Sequence, residues 1–267
     1  MTTKSIKELS IQVNLNGLSF CILNRTDNLV ELLEELPLDS KVTPFKILEI
    51  LKEFLNTHNL ISKQFSELII IHHNDLSTFV PKELFDEKHS ADYLKFNSKI
   101  LKTDYITHDE IVVNNSVNVY VPYININNYI FETFGEFTYK HASTALVNSI
   151  LQSSIDTDPL VFLNVNRTTF DFVAISKKEL LLYNSFEFYT PQDFIYFVLF
   201  TMEQLGLDPN EVNINLSGQI NMHDDLYEIL YTYVRHIEFV NEFCSYDFNE
   251  TTCKESLHQH YLVLNSF

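Results

Sequence analysis

Residues 9–23 read Leu-Ser-Ile-Gln-Val-Asn-Leu-Asn-Gly-Leu-Ser-Phe-Cys-Ile-Leu. Apolar and polar side chains alternate along most of this stretch, which is the period of a β-strand with one buried face. Asn16-Gly17 interrupts the alternation, and an Asn-Gly pair between two alternating segments is a strong signal for a β-hairpin. A third strand is predicted at about 29–36. The chain is therefore expected to begin with three antiparallel strands.

A helix and a buried strand are predicted next. Thr43 is a plausible N-cap, and Pro44 is favoured in the first helical turn. The apolar residues that follow form one helical stripe at positions 47, 48, 51, 54 and 55. Leu68-Ile69-Ile70-Ile71-His72 is a short continuous apolar run, which is typical of a strand buried on both faces. The first part of the chain thus has the order strand–strand–strand–helix–strand.

The same order recurs between residues 160 and 218. Strands are predicted at 160–166, 169–175 and 179–188, a helix from Thr190-Pro191 to Gly206, and a strand at 212–216. Individual residues also correspond at constant spacing, namely Gln12 with Asn164, Asn14 with Asn166, and Phe20 with Phe172. We interpret the chain as a duplicated unit.

The remaining segments complete two domains of an α/β protein. After His72 we expect an irregular polar insertion at about 76–116, then a strand at 117–122, a helix at 124–134 that ends at Gly135, a strand at 136–141 and a helix at 142–152. In the second half, Asp224 or Asp225 is expected to cap a helix that runs to Val234, followed by a strand at 236–240 and a final helix at 261–264. The predicted domains are 1–152 and 153–267, with the C-terminal segment packing back on the first. Each is expected to contain a mixed five-stranded sheet flanked by helices.

This duplicated pattern resembles the actin-like ATPase fold, which consists of two ribonuclease-H-like units. Residues 119–146, from Val119-Tyr120-Val121-Pro122 to Ala142-Ser143-Thr144-Ala145-Leu146, resemble a strand–helix–strand–helix stretch of actin-like assembly proteins of cell division and type IV pili. The N-terminal segments Leu9–Val13 and Gly17–Ile22 resemble the DUF3822 family of uncharacterised Bacteroidetes proteins. The resemblance covers most of the chain. It implies a degenerate actin-like fold with no assigned activity.

The resemblance directs attention to two hairpins. Actin-like ATPases hold the β- and γ-phosphates between two Asp-x-Gly hairpins, in which Gly admits the phosphates to the backbone and Asp organises Mg²⁺ and water. The corresponding positions here are Gln12-Val13-Asn14 and Asn164-Val165-Asn166. Both acids are replaced by amides and both glycines are lost. Ser217-Gly218 keeps one glycine of the two in the adenosine-side loop. We therefore expect no hydrolysis, no catalytic residues and no bound cofactor.

Nuclease chemistry is excluded by the same positions. Ribonuclease-H-like nucleases need carboxylates on the first and fourth strands, so that two metal ions sit together. The first strands carry Gln12 and Asn14 or Asn164 and Asn166, and Asp75 follows the fourth strand alone. Four histidine-containing runs begin at His72, His108, His223 and His258. Neighbouring residues on a strand point to opposite faces, so we interpret these runs as structural and expect no metal site.

The net charge of the chain limits the classes of partner that it can bind. The chain has 36 acidic and 18 basic residues, a formal net charge of −18. Binding to a phosphate backbone requires a basic face, so nucleic acid and anionic membranes are poor candidates. We find no signal peptide and no apolar run long enough to cross a bilayer, and we expect a cytoplasmic location without membrane insertion. A disulfide between Cys244 and Cys253 is not expected in a reducing compartment.

Three functional hypotheses stay open. The favoured one is a non-catalytic protein-interaction or scaffold protein, with a decayed nucleotide cleft and a surface for a protein partner or for self-association. The second is a nucleotide-binding protein that uses a non-standard cleft with Asn14, Asn166, Thr168 and Gly218 as contacts. Thr168 and Thr169 support it, because hydroxyls after the second hairpin turn contact phosphate in related proteins. The third is an enzyme with unrelated chemistry between the domains.

Overall fold

The structure is a computed structural model that describes residues 5–96, 98–153, 158–240, 246–249 and 254–267. The chain forms two compact units. One comprises Met1–Leu146, Cys244–Cys253 and Leu262–Phe267, and the other comprises Val147–Phe243 and Lys254–Tyr261. The boundary after residue 152 and the docking of the C-terminal segment on the first domain stay predictions. Cys244 and Cys253 lie outside the described residues.

The first unit begins as predicted. Its opening elements are β1 (Lys7–Asn14), β2 (Gly17–Asn24), β3 (Leu29–Pro37), α1 (Pro44–Thr57) and β4 (Glu67–His73). The alternating residues Leu9, Ile11 and Val13 of β1 are fully buried and pack against α1. Thr43 caps α1, since its side-chain oxygen accepts a hydrogen bond of 3.2 Å from the N–H of Lys46. The predicted hairpin and capped helix are therefore confirmed.

The hairpin turn differs from the prediction by one residue. Asn14 pairs with Gly17, so Leu15 and Asn16 are the two turn residues and Gly17 is the first residue of β2. Neither turn residue has a positive φ, so the turn is not the mirror-image type that an Asn-Gly pair favours. Gly17 is explained instead by close packing, because a Cβ there would lie 2.8 Å from the carbonyl oxygen of Leu36 on β3.

The segment expected to be irregular is folded. It contains β5 (Ser77–Pro81), three short 3₁₀ turns, α2 (Ser90–Lys95) and β6 (Thr107–Ile111). With β7 (Ser116–Tyr120) these strands form a separate antiparallel sheet in the order β5-β7-β6. The prediction failed because β5 and β6 have only five residues each and few apolar side chains. A small core under this sheet, which includes Val80, Leu94 and Val119, holds it together.

The first unit then returns to its main sheet through α3 (Ile124–Phe134), β8 (Thr138–His141) and α4 (Ala142–Gln152). Gly135 ends α3 as predicted, with a φ of 86°. In the main sheet β3, β2, β1, β4 and β8 are neighbours in that order. Strands β1, β2 and β3 are antiparallel, whereas β4 and β8 run parallel to β1.

The second unit repeats this topology. Its elements are β9 (Leu160–Val165), β10 (Thr169–Ser176), β11 (Glu179–Glu187), α5 (Pro191–Gln204), β12 (Asn213–Gly218), α6 (Asp225–Tyr233) and β13 (His236–Phe239). The sheet order is β11-β10-β9-β12-β13, which matches the first unit strand for strand. Thr190 and Asp193 form a capping box at the start of α5. The predicted duplication of a ribonuclease-H-like unit is confirmed by this strand order.

The C-terminal region contains one strand and one 3₁₀ segment that were not predicted. The strand gives the main sheet of the first unit six strands, where five were predicted. A sixth strand in the first unit, β14 (Asp247–Phe248), pairs in parallel with Leu29 and Val30 at the free edge of β3. A 3₁₀ segment (Lys254–His260) leads into α7 (Tyr261–Leu264), which confirms the predicted final helix. Beyond it, the hydroxyl of Ser266 donates a hydrogen bond of 2.7 Å to Ser10 of β1 within the first unit.

Candidate functional site

The two hairpin positions that would hold phosphates in an actin-like ATPase occupy equivalent places in the two units. Asn14 precedes a two-residue turn and pairs with Gly17. The N–H of Asn166 likewise bonds the carbonyl of Thr169 at 2.8 Å across a two-residue turn. The spacing of 152 residues read from the sequence is therefore the spacing of the repeat.

In the first unit, the amides at these positions are held by neighbouring protein atoms. The side-chain nitrogen of Gln12 lies 3.1 Å from Nδ1 of His73 on β4. The side-chain oxygen of Asn14 accepts a hydrogen bond of 3.1 Å from the N–H of Asn16 and so closes the turn. The Gln12 contact thus links β1 to β4, and the Asn14 contact lies within the hairpin turn.

In the second unit, the amide of Asn164 is the centre of a buried hydrogen-bonded chain across four strands. Its Nδ2 donates to Oδ2 of Asp171 on β10 at 3.0 Å, and its Oδ1 accepts from the hydroxyl of Ser217 on β12 at 2.9 Å. Asp171 also accepts from the hydroxyl of Tyr183 on β11 at 2.9 Å. We call Tyr183, Asp171, Asn164 and Ser217 the polar chain. Its buried carboxylate is satisfied by neutral donors, which is the condition for keeping such a group in a core.

The polar chain was not predicted as a unit. Asn164 was singled out, and Ser217 was noted only as the neighbour of Gly218, but Asp171 and Tyr183 were not. A signal for Asp171 existed, because it is an acid between Phe170 and Phe172 in an apolar strand. Its partners could not be read from the sequence, since the Asn164–Ser217 pair depends on the parallel register of β9 and β12.

Three of the four predicted nucleotide contacts lie in the second unit, where the central strands β9 and β12 end. Asn166 and Thr168 belong to the β9–β10 turn, and Gly218 is paired with Val165 at the end of β12. Asn14 belongs to the first unit. The carbonyl of Thr168 accepts a hydrogen bond of 3.0 Å from the N–H of Phe188. Among the described residues, Nδ2 of Asn166 is a buried donor with no hydrogen-bond partner.

Gly218 has a packing role. Its φ is +82°, and a Cβ at this position would lie 2.0 Å from the carbonyl oxygen of Val165. The next N–H, of Gln219, donates to the same oxygen at 2.6 Å. Only glycine lets β12 approach β9 this closely. A phosphate loop is therefore not needed to explain why glycine stands here.

A second polar cluster lies in the first unit, where β4 and β8 end. Nδ1 of His72 accepts from the N–H of Tyr123 at 3.2 Å, and Nε2 lies 2.9 Å from Oδ1 of Asn127, which places the ring proton on Nε2. Burial lowers the pKa of His72 to about 4, although the Asn127 contact opposes the shift. Nδ1 of His141 lies 2.7 Å from the hydroxyl of Ser143, and Nε2 lies 3.1 Å from the carbonyl of Asn74. Both imidazoles are hydrogen-bonded within the fold, and His72 is neutral near pH 7.

Asp109 joins the small sheet to this cluster. It accepts hydrogen bonds from the hydroxyls of Tyr120 at 2.9 Å and Thr144 at 2.7 Å, and from the N–H of His141 at 2.9 Å. Burial raises the pKa of Asp109, and these hydrogen bonds oppose that shift. Asn118 donates to the hydroxyls of Ser143 at 2.9 Å and Thr144. The carboxylate therefore ties β6 to β7, β8 and α4.

The described residues hold no group of three or more His, Cys, Asp or Glu that could bind a metal ion. Of the four histidine runs, three are placed in packing roles: His72 as above, His108 with its ring 4.8 Å from that of Phe85, and His258 against the carbonyl of Ile220 at 2.8 Å. Burial lowers the pKa of His260 to about 4. Burial likewise raises the pKa of the Cys21 thiol to about 12. No helix in the described part of the chain is long and apolar enough to span a bilayer.

The described residues line at least two cavities that are open to solvent. One of about 480 Å³ lies in the second unit where α5 and α6 begin, and it is lined by Tyr189, Asp224, Asp225 and neighbouring residues. The other, of about 600 Å³, lies in the first unit where β1 and β4 begin and is lined by Ile6, Phe65 and Phe134 among others. Neither is lined by the four predicted nucleotide contacts. The carboxylates at the first cavity make it a poor site for a phosphate.

Comparisons with known proteins support the fold. The model of a family described as "protein of unknown function (DUF3822)" matches residues 1–237. A Bacteroides thetaiotaomicron protein with an actin-like ATPase fold and unknown function is similar with a TM-score of 0.78 at 21% identity, over 89% of this chain and 91% of that one.

Two further solved structures share the fold at lower similarity. A chain of the PilM-PilN type IV pilus biogenesis complex has a TM-score of 0.60 at 11% identity, over 97% of this chain and 96% of that one. The ethanolamine utilization protein EutJ from Carboxydothermus hydrogenoformans has a TM-score of 0.55 at 6% identity, over 100% and 92%. No curated protein matches the chain. At these identities the similarity establishes the fold alone.

Proposed function

We propose that this chain, which belongs to the DUF3822 family of proteins of unknown function, is a non-catalytic cytoplasmic protein that binds a protein partner or a further copy of itself. On this proposal the actin-like fold has been kept as a scaffold while its phosphate-binding hairpins have decayed. The partner is recognised through the surface of the fold, and no cofactor takes part.

The observation that carries the proposal is the pair of hydrogen bonds made by Asn164. This residue stands where an actin-like ATPase would place a hairpin acid. Both of its side-chain polar atoms are used within the fold, by Asp171 and by Ser217. At this position a metal-bound nucleotide would meet a side-chain amide whose nitrogen and oxygen are both already hydrogen-bonded within the protein. The residues present do not fit Mg²⁺ and phosphate, and we derive no chemical step through them.

A structural neighbour supports the idea that this fold can serve as a binding platform. The similar PilM-PilN chain comes from a complex of two proteins. The likeness is one of fold, so it carries no residue of that interface over to this chain. It shows that a chain of this architecture takes part in a protein assembly in at least one relative.

The second candidate is an actin-like nucleotide-binding protein with Asn14, Asn166, Thr168 and Gly218 as contacts. One observation favours it, namely the buried and unpaired Nδ2 of Asn166 at the tip of the second hairpin. A buried donor without a partner costs about 1–3 kcal/mol, and a phosphate oxygen would satisfy it. An ordered water molecule would do the same.

Affinity purification of the tagged full-length chain from its own cells separates the two candidates. The proposal predicts that a defined protein co-purifies in constant proportion, or that the chain runs as an oligomer, and that the eluted complex contains no nucleotide after denaturation. Stoichiometric nucleotide in the eluate would contradict the proposal and support the second candidate. A monomeric chain that retains neither protein nor nucleotide would contradict both.

A further inference from the structure

The second unit contains a long segment with charge of one sign. Residues 179–234 include nine acidic residues and no Lys or Arg. The acids are Glu179, Glu187, Asp193, Glu203, Asp208, Glu211, Asp224, Asp225 and Glu228. All of α5 and α6 lies within this segment. No lysine or arginine on either helix can therefore neutralise the surface that they present.

The outward faces of these two helices carry exposed aromatic side chains. On α5, the rings of Tyr196 and Phe200 stack with centroids 5.8 Å apart, and the two residues are 59% and 46% exposed. On α6, Tyr231 stacks on Tyr227 at 6.0 Å and is 65% exposed. Large aromatic groups on a water-facing helix surface cost solvation free energy, and such patches mark interaction sites.

The two helices present one surface. Phe194 and Val198 of α5 and Leu230 of α6 enter the same core, which covers one face of the second sheet. The opposite sides of both helices therefore face away from that sheet together. We call the outward faces of α5 and α6, with Tyr196, Phe200, Glu203, Glu228 and Tyr231, the aromatic-acidic face.

The fold itself does not require this surface, as the equivalent helix of the first unit shows. Helix α1 has the same 14-residue length and the same place in the repeat as α5. Its exposed side carries charges of both signs, with Lys46 bonded to Glu49 at 2.9 Å and Lys52 positioned 4.7 Å from the ring of Tyr129. The absence of basic residues on α5 is thus not repeated on α1, although α3, the counterpart of α6, also carries no Lys or Arg.

We propose that the aromatic-acidic face docks a basic amphipathic segment of a partner protein. Lysine and arginine side chains of that segment would pair with Glu203 and Glu228 and lie over the tyrosine rings, since cations bind both groups. Its apolar side chains would cover Phe200. The inference rests on the proposed function and names the chemistry of its partner.

Charge makes other occupants unfavourable. A symmetric dimer through this face would set two acidic surfaces against each other, in a chain whose formal net charge is already −18. Nucleic acid and anionic lipid would be repelled for the same reason. A cationic segment is attracted from a distance and desolvates the aromatic rings when it docks.

The test uses the full chain with a photo-crosslinking amino acid at Tyr196 or Tyr231, expressed in its own cells, and the same label at Phe45 as the control. Phe45 is 77% exposed and lies on α1. The crosslinked segment is identified by mass spectrometry, synthesised as a peptide and titrated against the purified chain. Two variants are compared with matched controls: Tyr196→Ser/Phe200→Ser with Phe45→Ser, and Glu203→Lys/Glu228→Lys with Glu53→Lys.

We expect crosslinks from Tyr196 and Tyr231 to a segment that carries net positive charge and apolar residues. Its affinity should fall with added salt, and should drop at least about tenfold in each α5/α6 variant while the α1 controls bind normally. All variants should melt near the wild-type temperature because the changed side chains are exposed.

A crosslinked segment without net positive charge, or a crosslink to another copy of the chain, would overturn the inference. If the tagged chain retains a partner equally well with Glu203→Lys/Glu228→Lys, the inference fails and the proposed function survives. If the chain captures no protein at all, the proposed function fails with it.

Discussion

The side-chain amide of Asn164 on β9 donates a hydrogen bond of 3.0 Å to the buried carboxylate of Asp171, its direct neighbour on β10. This contact makes the amide at position 164 a structural requirement of the second unit. An acid at the same position would face another acid in the core. The acid that an actin-like phosphate hairpin needs is therefore disfavoured at this position by the neighbouring Asp171 of this chain.

Asn164→Asp should destabilise the chain strongly. Two buried carboxylates in contact repel each other, and we expect a loss of about 3 kcal/mol or more in the free energy of unfolding at pH 7. One of the two carboxyls will have a raised pKa in the folded state, so the variant regains stability as the pH falls toward 4. Urea unfolding at pH 7 and pH 4.5 measures both effects.

Asn14→Asp is the matched control, because an Asp oxygen can still accept from the N–H of Asn16. It should cost less than about 0.5 kcal/mol. If Asn164→Asp proves as stable as this control, the polar chain is not the reason for the amide.

Asp109 should matter to the first unit through its acceptor oxygens more than through its charge. Asp109→Ala leaves the donors from Tyr120, Thr144 and His141 without their acceptor, and should cost about 2–4 kcal/mol. Asp109→Asn keeps an oxygen for two of them and should cost within about 1 kcal/mol.

The pH dependence of stability distinguishes the effect of the Asp109 charge from the effect of its hydrogen-bond geometry. Because burial raises the pKa of Asp109, its contribution to stability is greatest below the pKa of an unfolded Asp and declines as the pH rises through the folded value. The stability of Asp109→Asn relative to wild type should therefore improve between pH 4.5 and pH 7. Equal losses for the Ala and Asn variants at both pH values would contradict this account.

Gly218→Ala should lower the melting temperature far more than Gly206→Ala. Both glycines have positive φ, but a Cβ at Gly206 meets nothing within 4 Å, whereas one at Gly218 meets Val165 O at 2.0 Å. The expected cost is about 1–2 kcal/mol from backbone strain at Gly206 and on the order of 3 kcal/mol or more at Gly218. Similar melting temperatures for the two variants would refute the packing role.

Much of the fold could be predicted because its signals are local. Alternation in β1, the Thr-Pro sequences that open α1 and α5, and the glycine after α3 each act within a few residues. The small sheet was missed because Thr107–Ile111 is a polar five-residue strand that is recognised only by its pairing with β7.

The site was harder to predict for a related reason. The sequence identified Asn164 and Gly218 as unusual, but their explanations are contacts across strands. Ser217 and Asn164 are hydrogen-bonded although 53 residues separate them in the sequence. Glycine is needed at position 218 because the carbonyl of Val165 lies so close to it. Such contacts follow from register, which alternation alone does not specify.

The charge of the chain predicts that it will not bind nucleic acid. With 36 acidic against 18 basic residues, few phosphate contacts can release counterions. Filter-binding assays with duplex DNA and structured RNA at about 150 mM salt should show no retention at micromolar protein. Retention that weakens steeply with salt would contradict the prediction and point to a local basic surface.

The measurement that tests the central claim most directly is the thermal stability of the full chain with and without millimolar MgATP. A ligand at one hundred times its Kd adds about 2.7 kcal/mol, which for a chain of this size raises Tm by several degrees. Asn166→Leu is the informative variant, since Gly218→Val would disrupt β12 by itself. If the hairpins have decayed, MgATP leaves the Tm of the wild-type chain unchanged. A rise of several degrees that is lost in Asn166→Leu would contradict the account and identify the chain as a nucleotide-binding protein.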